Sequence, residues 1–207
     1  MRLLKQLSFF QLFIVFFILF IIAISGSLRK MELRAEEPRR AIATMEMCLT
    51  NEWIVPKIHG AYYYNKPPLF NWIMAGVFQL SGSFSEPWVR LPSLLALILT
   101  SFFAYKIAIV YTNKQTGILS AVLLLSAADI LFYGSVDAGE IDLFFMLLVT
   151  LQALCIFYFS EKQQWFAMFL LSYLFTAAAL LIKFLPAIVF QALTLLIWLI
   201  YSKQWKR

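Results

Sequence analysis

Long stretches without a charged side chain decide what this chain can fold into. Five carry no charge at all (6–28, 91–105, 143–160, 163–182 and 184–202), and a sixth, 116–134, holds only Asp129. An α-helix crosses the hydrocarbon core of a bilayer in about 20 apolar residues. Water cannot accommodate all of these runs. Hydrophobic residues make up 62% of the chain and charged residues 14%, against about half and about a quarter in soluble domains. A water-soluble enzyme is excluded on that ground. The 17% aromatic content excludes disorder, and two cysteines do not make a disulfide scaffold.

The pattern predicts an all-α integral membrane protein with about six spans, near 6–28, 88–111, 116–134, 143–160, 163–182 and 184–202. The first span starts like a secretory signal, with Arg2 and Lys5 ahead of it. Its apolar run is too long for a cleaved one and reads as an uncleaved anchor. Arg2, Lys5, Lys106, Lys114, Lys162, Lys203, Lys206 and Arg207 fall on one side of the membrane. The short loops of the other side hold only Lys183. Lysine and arginine mark the cytoplasmic face, which predicts that both ends lie in the cytoplasm. The chain then divides into an anchor (1–28), a long outer loop (29–87), a five-helix region (88–202) and a basic tail (203–207). The net charge of +6 is accounted for by orientation, so no nucleic-acid partner is expected.

Residues 29–87 break the apolar pattern. Six of the eleven acids and seven of the seventeen bases lie there. A plain connection is far shorter. Residues 36–50 read as a helix: Glu36 and Glu37 suit its positive end, Pro38 its first turn, and Ile42, Met45 and Leu49 form one apolar stripe. A second apolar helix is expected over 68–80, too short to span comfortably. Both are placed along the membrane surface. Between them lies an aromatic, proline-punctuated turn region that ends Tyr63-Tyr64-Asn65-Lys66-Pro67-Pro68.

These residues resemble the first periplasmic loop of polyprenyl-phosphate-dependent glycosyltransferases. The nearest are the aminoarabinose transferases of lipid A (the ArnT group) and the wider glycosyltransferase family 39, which includes the protein O-mannosyltransferases. That family's pattern runs roughly Asp-Glu-x-Arg-Tyr-Ala, Glu-Met-Leu, Asp-Trp-x-Val-Pro, Tyr-Phe-Glu-Lys-Pro-Pro. Here it reads Glu36-Glu37-Pro38-Arg39-Arg40-Ala41, Glu46-Met47-Cys48, Glu52-Trp53-Ile54-Val55-Pro56 and Tyr63-Tyr64-Asn65-Lys66-Pro67-Pro68. Val89-Arg90-Leu91-Pro92-Ser93 is similar to the signature that opens the second span. The stretch from Tyr133 to Phe144 resembles the second acidic motif, and Leu181-Ile182-Lys183 the Thr-Lys-Gly corner after the fifth span. The leading aspartate of the family is Glu36 here. Family members are more than twice this length and carry a C-terminal domain that this sequence does not include. The resemblance therefore covers an N-terminal portion.

The resemblance implies a GT-C type helical bundle in a bacterial plasma membrane. It implies transfer of a sugar from a polyprenyl-phosphate donor to a lipid or protein acceptor on the outer face, with inversion at the sugar carbon by direct displacement. It requires no cofactor. Such chemistry needs a carboxylate to orient or deprotonate the attacking oxygen, and cations for the leaving phosphate. Glu36 is the expected acceptor-facing carboxylate, with Asp142 and Glu37 as further catalytic acids. Lys66 is expected to hold the donor phosphate, assisted by Arg39 and Tyr63. Arg90, Lys183, Asp137 and Glu140 are supporting candidates.

Each residue also has a plainer reading. Glu36 and Glu37 complement a helix dipole, and Asp142 caps a span. Lys66 and Lys183 anchor at the interface. Arg90 pairs with a loop carboxylate such as Glu86. Asp137, Glu140 and Asp142 are ligands that a divalent cation accepts, and equally what an outer loop poor in lysine holds. A divalent metal is thus not indicated. With His59 as the sole histidine, a histidine metal site is excluded. Asp129 is an acid inside a span, a functional candidate by default. Two other functions remain open beside catalysis. One is carrier-lipid binding as a partner subunit or half of a split protein. The other is a small transporter or flippase, which is disfavoured because polarity concentrates in one outer loop rather than along the spans.

Overall fold

The computed structural model describes residues 9–30, 32–127 and 139–202. Eight helices and one small hairpin occupy them. Helix α1 is Phe9–Lys30; α2, Glu37–Thr50; β1, Lys57–Ile58; β2, Ala61–Tyr62; α3, Leu69–Ser81; and α4, Glu86–Tyr111. There follow α5, Lys114–Leu125; α6, Ile141–Glu161; α7, Trp165–Leu180; and α8, Phe184–Ser202. By length and composition α4, α6 and α8 suffice to cross a membrane. At a rise of about 1.5 Å per residue the 26 residues of α4 exceed the bilayer core.

Local chemistry sets the ends. Asn113 caps α5, its side-chain oxygen accepting from Thr116 N–H at 2.9 Å. Gly82 closes α3 at φ 64°, a left-handed conformation that glycine adopts freely. Pro38 sits in the first turn of α2 and Glu86-Pro87 opens α4.

Five predicted elements agree with the described helices to within a few residues: the loop helices α2 and α3, and the spans α4, α6 and α8. The expected third span, 116–134, corresponds to α5, which ends at Leu125. Asp129 lies outside the described residues. The expected fifth span, 163–182, is a helix of 16 residues. Hydropathy runs on through Leu181 and Ile182, but the chain turns there before α8.

Two apolar clusters hold the bundle. Phe20 of α1, Leu94 and Leu97 of α4, Leu125 of α5 and Leu147 of α6 form one. The other joins the loop helices to the spans: Phe70, Met74 and Phe78 of α3 pack with Val89 of α4, Phe145 of α6 and Ala179 of α7. The inward face of α2 is unusual. Glu37, Arg40, Thr44 and Met47 are buried on it, while Leu49 of the predicted stripe is 75% exposed. The first long loop is therefore seated on the bundle through the apolar side chains of α3 and a partly polar face of α2.

Candidate functional site

Glu37 and Arg90 form the node of the site. Both are fully buried. Arg90 donates from Nε to Glu37 Oε1 at 2.8 Å and from Nη2 to Oε2 at 3.0 Å. Gly139 N–H gives Oε1 a third bond at 2.6 Å, and Arg34 N–H gives Oε2 a fourth at 3.0 Å. Arg90 Nη2 also reaches the Glu32 carbonyl at 3.0 Å. A buried ion pair holds only when its remaining lone pairs and protons are satisfied, and here the carboxylate is saturated. Ser93 Oγ donates to the Glu140 carbonyl at 2.7 Å. The outer loop, the start of α4 and the approach to α6 thus meet at one point. Gly139 permits this approach, since a Cβ there would lie 2.9 Å from the Val89 carbonyl oxygen.

The other expected acids lie around this node. Glu36 is half-exposed and accepts from Arg39 Nη1 at 2.7 and 2.9 Å. The Glu36 carboxylate, then the Tyr63 hydroxyl, hold the Arg39 guanidinium above its ordinary pKa. Asp142 stands exposed in the first turn of α6 and pairs with Lys183 Nζ. Glu140 is half-buried. Burial first, then Asp142, pushes its carboxyl pKa up, while Arg40 opposes the shift. Asp137 lies outside the described residues. Among the described residues no three histidine, cysteine, aspartate or glutamate side chains converge as a metal requires.

A groove of about 640 Å³ opens beside these acids. Lys66 and Lys183 line it together with Tyr63, Pro67, Phe184 and Pro186. Leu69 N–H donates to the Leu181 carbonyl at 3.1 Å, tying the start of α3 to the α7–α8 corner. That bond brings Lys66 and Lys183 to one cleft although they are far apart in sequence. Lys66 makes no hydrogen bond or ion pair among the described residues. The hairpin that leads to it is pinned by Glu46, which accepts from His59 N–H and, at 3.1 Å, from Gly60 N–H. His59 and Gly60 form the turn at φ 53° and 78°.

The structure therefore gathers Tyr63, Lys66 and Lys183 at the groove, with Asp142 joined to them through Lys183. It separates Glu37 from them as a buried structural group. Arg39 is engaged by Glu36 and Tyr63 rather than directed at the groove. Arg90 pairs with Glu37 and not with Glu86. Sequence reasoning missed Arg40, whose side chain is 3% exposed on the inward face of α2. The signal was present: Glu37, Arg40 and Thr44 share one helical face.

A multi-pass helical membrane bundle of the GT-C type is the class that the fold defines. The chain belongs to the dolichyl-phosphate-mannose-protein mannosyltransferase family, whose model matches residues 65–207. It is 25% identical over 208 residues to an undecaprenyl phosphate-alpha-4-amino-4-deoxy-L-arabinose arabinosyl transferase of Edwardsiella ictaluri, covering 98% of this chain and 36% of that protein. It is 27% identical over 185 residues to the protein of the same name from Erwinia tasmaniensis, covering 85% and 33%. Among solved structures it resembles ArnT from Cupriavidus metallidurans in the apo state, with a TM-score of 0.78, 18% identity and coverage of 93% of this chain and 36% of that one. The same protein bound to undecaprenyl phosphate gives 0.76 and 19%, with the same coverage. The chain thus spans about a third of the length of these relatives.

Proposed function

We propose that this chain carries the carrier-lipid and acceptor-orienting part of a membrane glycosyltransferase. The donor is a polyprenyl-phosphate sugar, and the acceptor is a lipid or protein on the outer face of the membrane. One observation carries the reading: Lys66 and Lys183 converge in an apolar-walled groove beside the Asp142 carboxylate, which pairs with Lys183. An isoprenoid phosphate needs that combination, cations for the headgroup and an apolar wall for the chain. In the reaction an acceptor oxygen attacks the sugar carbon, and the bond from that carbon to the phosphate oxygen breaks. The electron pair leaves with the phosphate, where Lys66 and Lys183 stabilise the charge. Glu36 orients the acceptor, and takes its proton when the acceptor is a hydroxyl. Asp142 sets the position of Lys183. Glu37 and Arg90 hold Glu36 in place without touching substrate.

The groove's lining, which holds lysines and apolar side chains but no carboxylate among the described residues, favours a second reading, in which the groove binds the carrier lipid without turnover. The test is binding of undecaprenyl phosphate to the purified chain in detergent. Lys66→Ala is expected to weaken binding about tenfold or more, a loss of about 1.4 kcal/mol, while Glu36→Gln leaves it unchanged. Equal binding by the parent and Lys66→Ala sinks the donor site. Binding without sugar transfer in a single-turnover assay supports the second reading.

A further inference from the structure

Matching the charges around the site leaves Lys66 in the groove and two further side chains outside it. Glu36 is paired with Arg39, Glu37 with Arg90 and Asp142 with Lys183. Arg40 and Glu140 remain. They are electrostatically coupled, yet no ion pair or hydrogen bond joins them among the described residues. Arg40 is 3% exposed, and its Nε is sealed from solvent without a hydrogen-bond partner among the described residues. A guanidinium stays charged at any physiological pH, and burying it without a direct partner is costly. The position does not demand a cation. Where the glycosyltransferase pattern has tyrosine after its arginine, this chain has Arg40.

The side chain has hydrogen-bonding capacity left over. It lies on the inward face of α2, one turn beyond Glu36 and beside Glu37 and Thr44. It does not line the groove of Lys66 and Lys183, so a carrier phosphate held there does not serve it. Its planar fork of donors matches phosphate and carboxylate oxygens. We propose that Arg40 is an anion-recognition residue that receives a phosphate or carboxylate group carried by the acceptor, next to Glu36. Glu140 is the carboxylate coupled electrostatically to the same guanidinium, and it competes with that anion. The assignment of the anion to the acceptor rests on the proposed function. The presence of an anion subsite does not.

The test titrates glucose 1-phosphate, glucuronate and neutral methyl glucoside into the full chain in detergent, with and without saturating undecaprenyl phosphate, followed by ligand-observed NMR. At least one anionic sugar is expected to bind tenfold or more tightly than methyl glucoside, and which one does so identifies the anion. Arg40→Gln is expected to erase that preference and Arg40→Lys to keep part of it, with undecaprenyl phosphate affinity unchanged in both. Glu140→Gln is expected to tighten anion binding about threefold, which provides a readout should Arg40→Gln fail to fold. The proposal is overturned if the parent does not distinguish anionic from neutral sugars, if folded Arg40→Gln keeps the preference, or if Glu140→Gln leaves affinity unchanged. Failure of the parent to bind undecaprenyl phosphate overturns the carrier-lipid reading instead, and leaves the result at Arg40 standing.

Discussion

Arg90 shows how much one side chain can carry. It is fully buried and neutralises a fully buried Glu37. Removing one member of such a pair strands the other, at a cost of about 3–5 kcal/mol, whereas replacing both with apolar residues is far less harmful. Arg90→Leu and Glu37→Leu are each expected to lower the thermal midpoint sharply, and the double variant to recover much of the loss. A double variant no better than the worse single would show that the two charges are not coupled. The partner of Arg90 was not legible in the sequence. Glu86 lies four residues away on the same helix and is the natural local choice. Glu37 lies 53 residues away, and only the fold brings it near. Lys66 was singled out by its motif neighbours and its chemistry, and it lines the groove. Arg40 was not, because the motif drew the eye to Arg39.

At the level of elements, the spans announced themselves through hydropathy, and α3 through its apolar run. The orientation of α2 was harder to read. Its apolar stripe is on display in the sequence, but a helix at a membrane has apolar surroundings on the outside as well. Which face turns inward is fixed instead by Glu37, through its pair with Arg90 and its bond from Gly139 N–H. The approach to α6 makes a sharper test. Gly139 sits against Val89, with room for hydrogen alone. Gly139→Ala presses its Cβ on Val89 and disturbs the Gly139–Glu37 hydrogen bond, and overpacking of this kind costs about 1–3 kcal/mol. Denaturant or thermal unfolding of the variant in detergent is the check. A midpoint equal to that of the parent means the backbone yields without strain.

The whole molecule has a sidedness and a pH response. The outer-loop reading predicts that a periplasmic reporter enzyme fused after Gly82 is active and that the same reporter fused after Arg207 is silent. The reverse pattern rejects the orientation and, with it, outer-face transfer. Glu140 sets the pH response. Burial lifts its carboxyl pKa above the ordinary 4.5, so over that interval the folded chain holds a proton that the unfolded chain has released. Its contribution to stability is complete below about pH 4.5 and fades as pH rises through the lifted value. Glu140→Gln is expected to flatten this part of the profile of thermal midpoint against pH. A slope identical to that of the parent assigns the response to another group.

The Glu37–Gly139 hydrogen bond also sets an order of events during synthesis. Its partners are 102 residues apart. At ribosomal speeds of about 5–20 residues per second, Gly139 emerges roughly 5–20 s after Glu37. On the outer-loop reading, once residue 87 is made the first loop crosses the membrane before it can close its central clasp, and its acids and arginines stay hydrated until Gly139 follows. A nascent chain paused before Gly139 should therefore expose this loop to protease, and release of the pause should protect it.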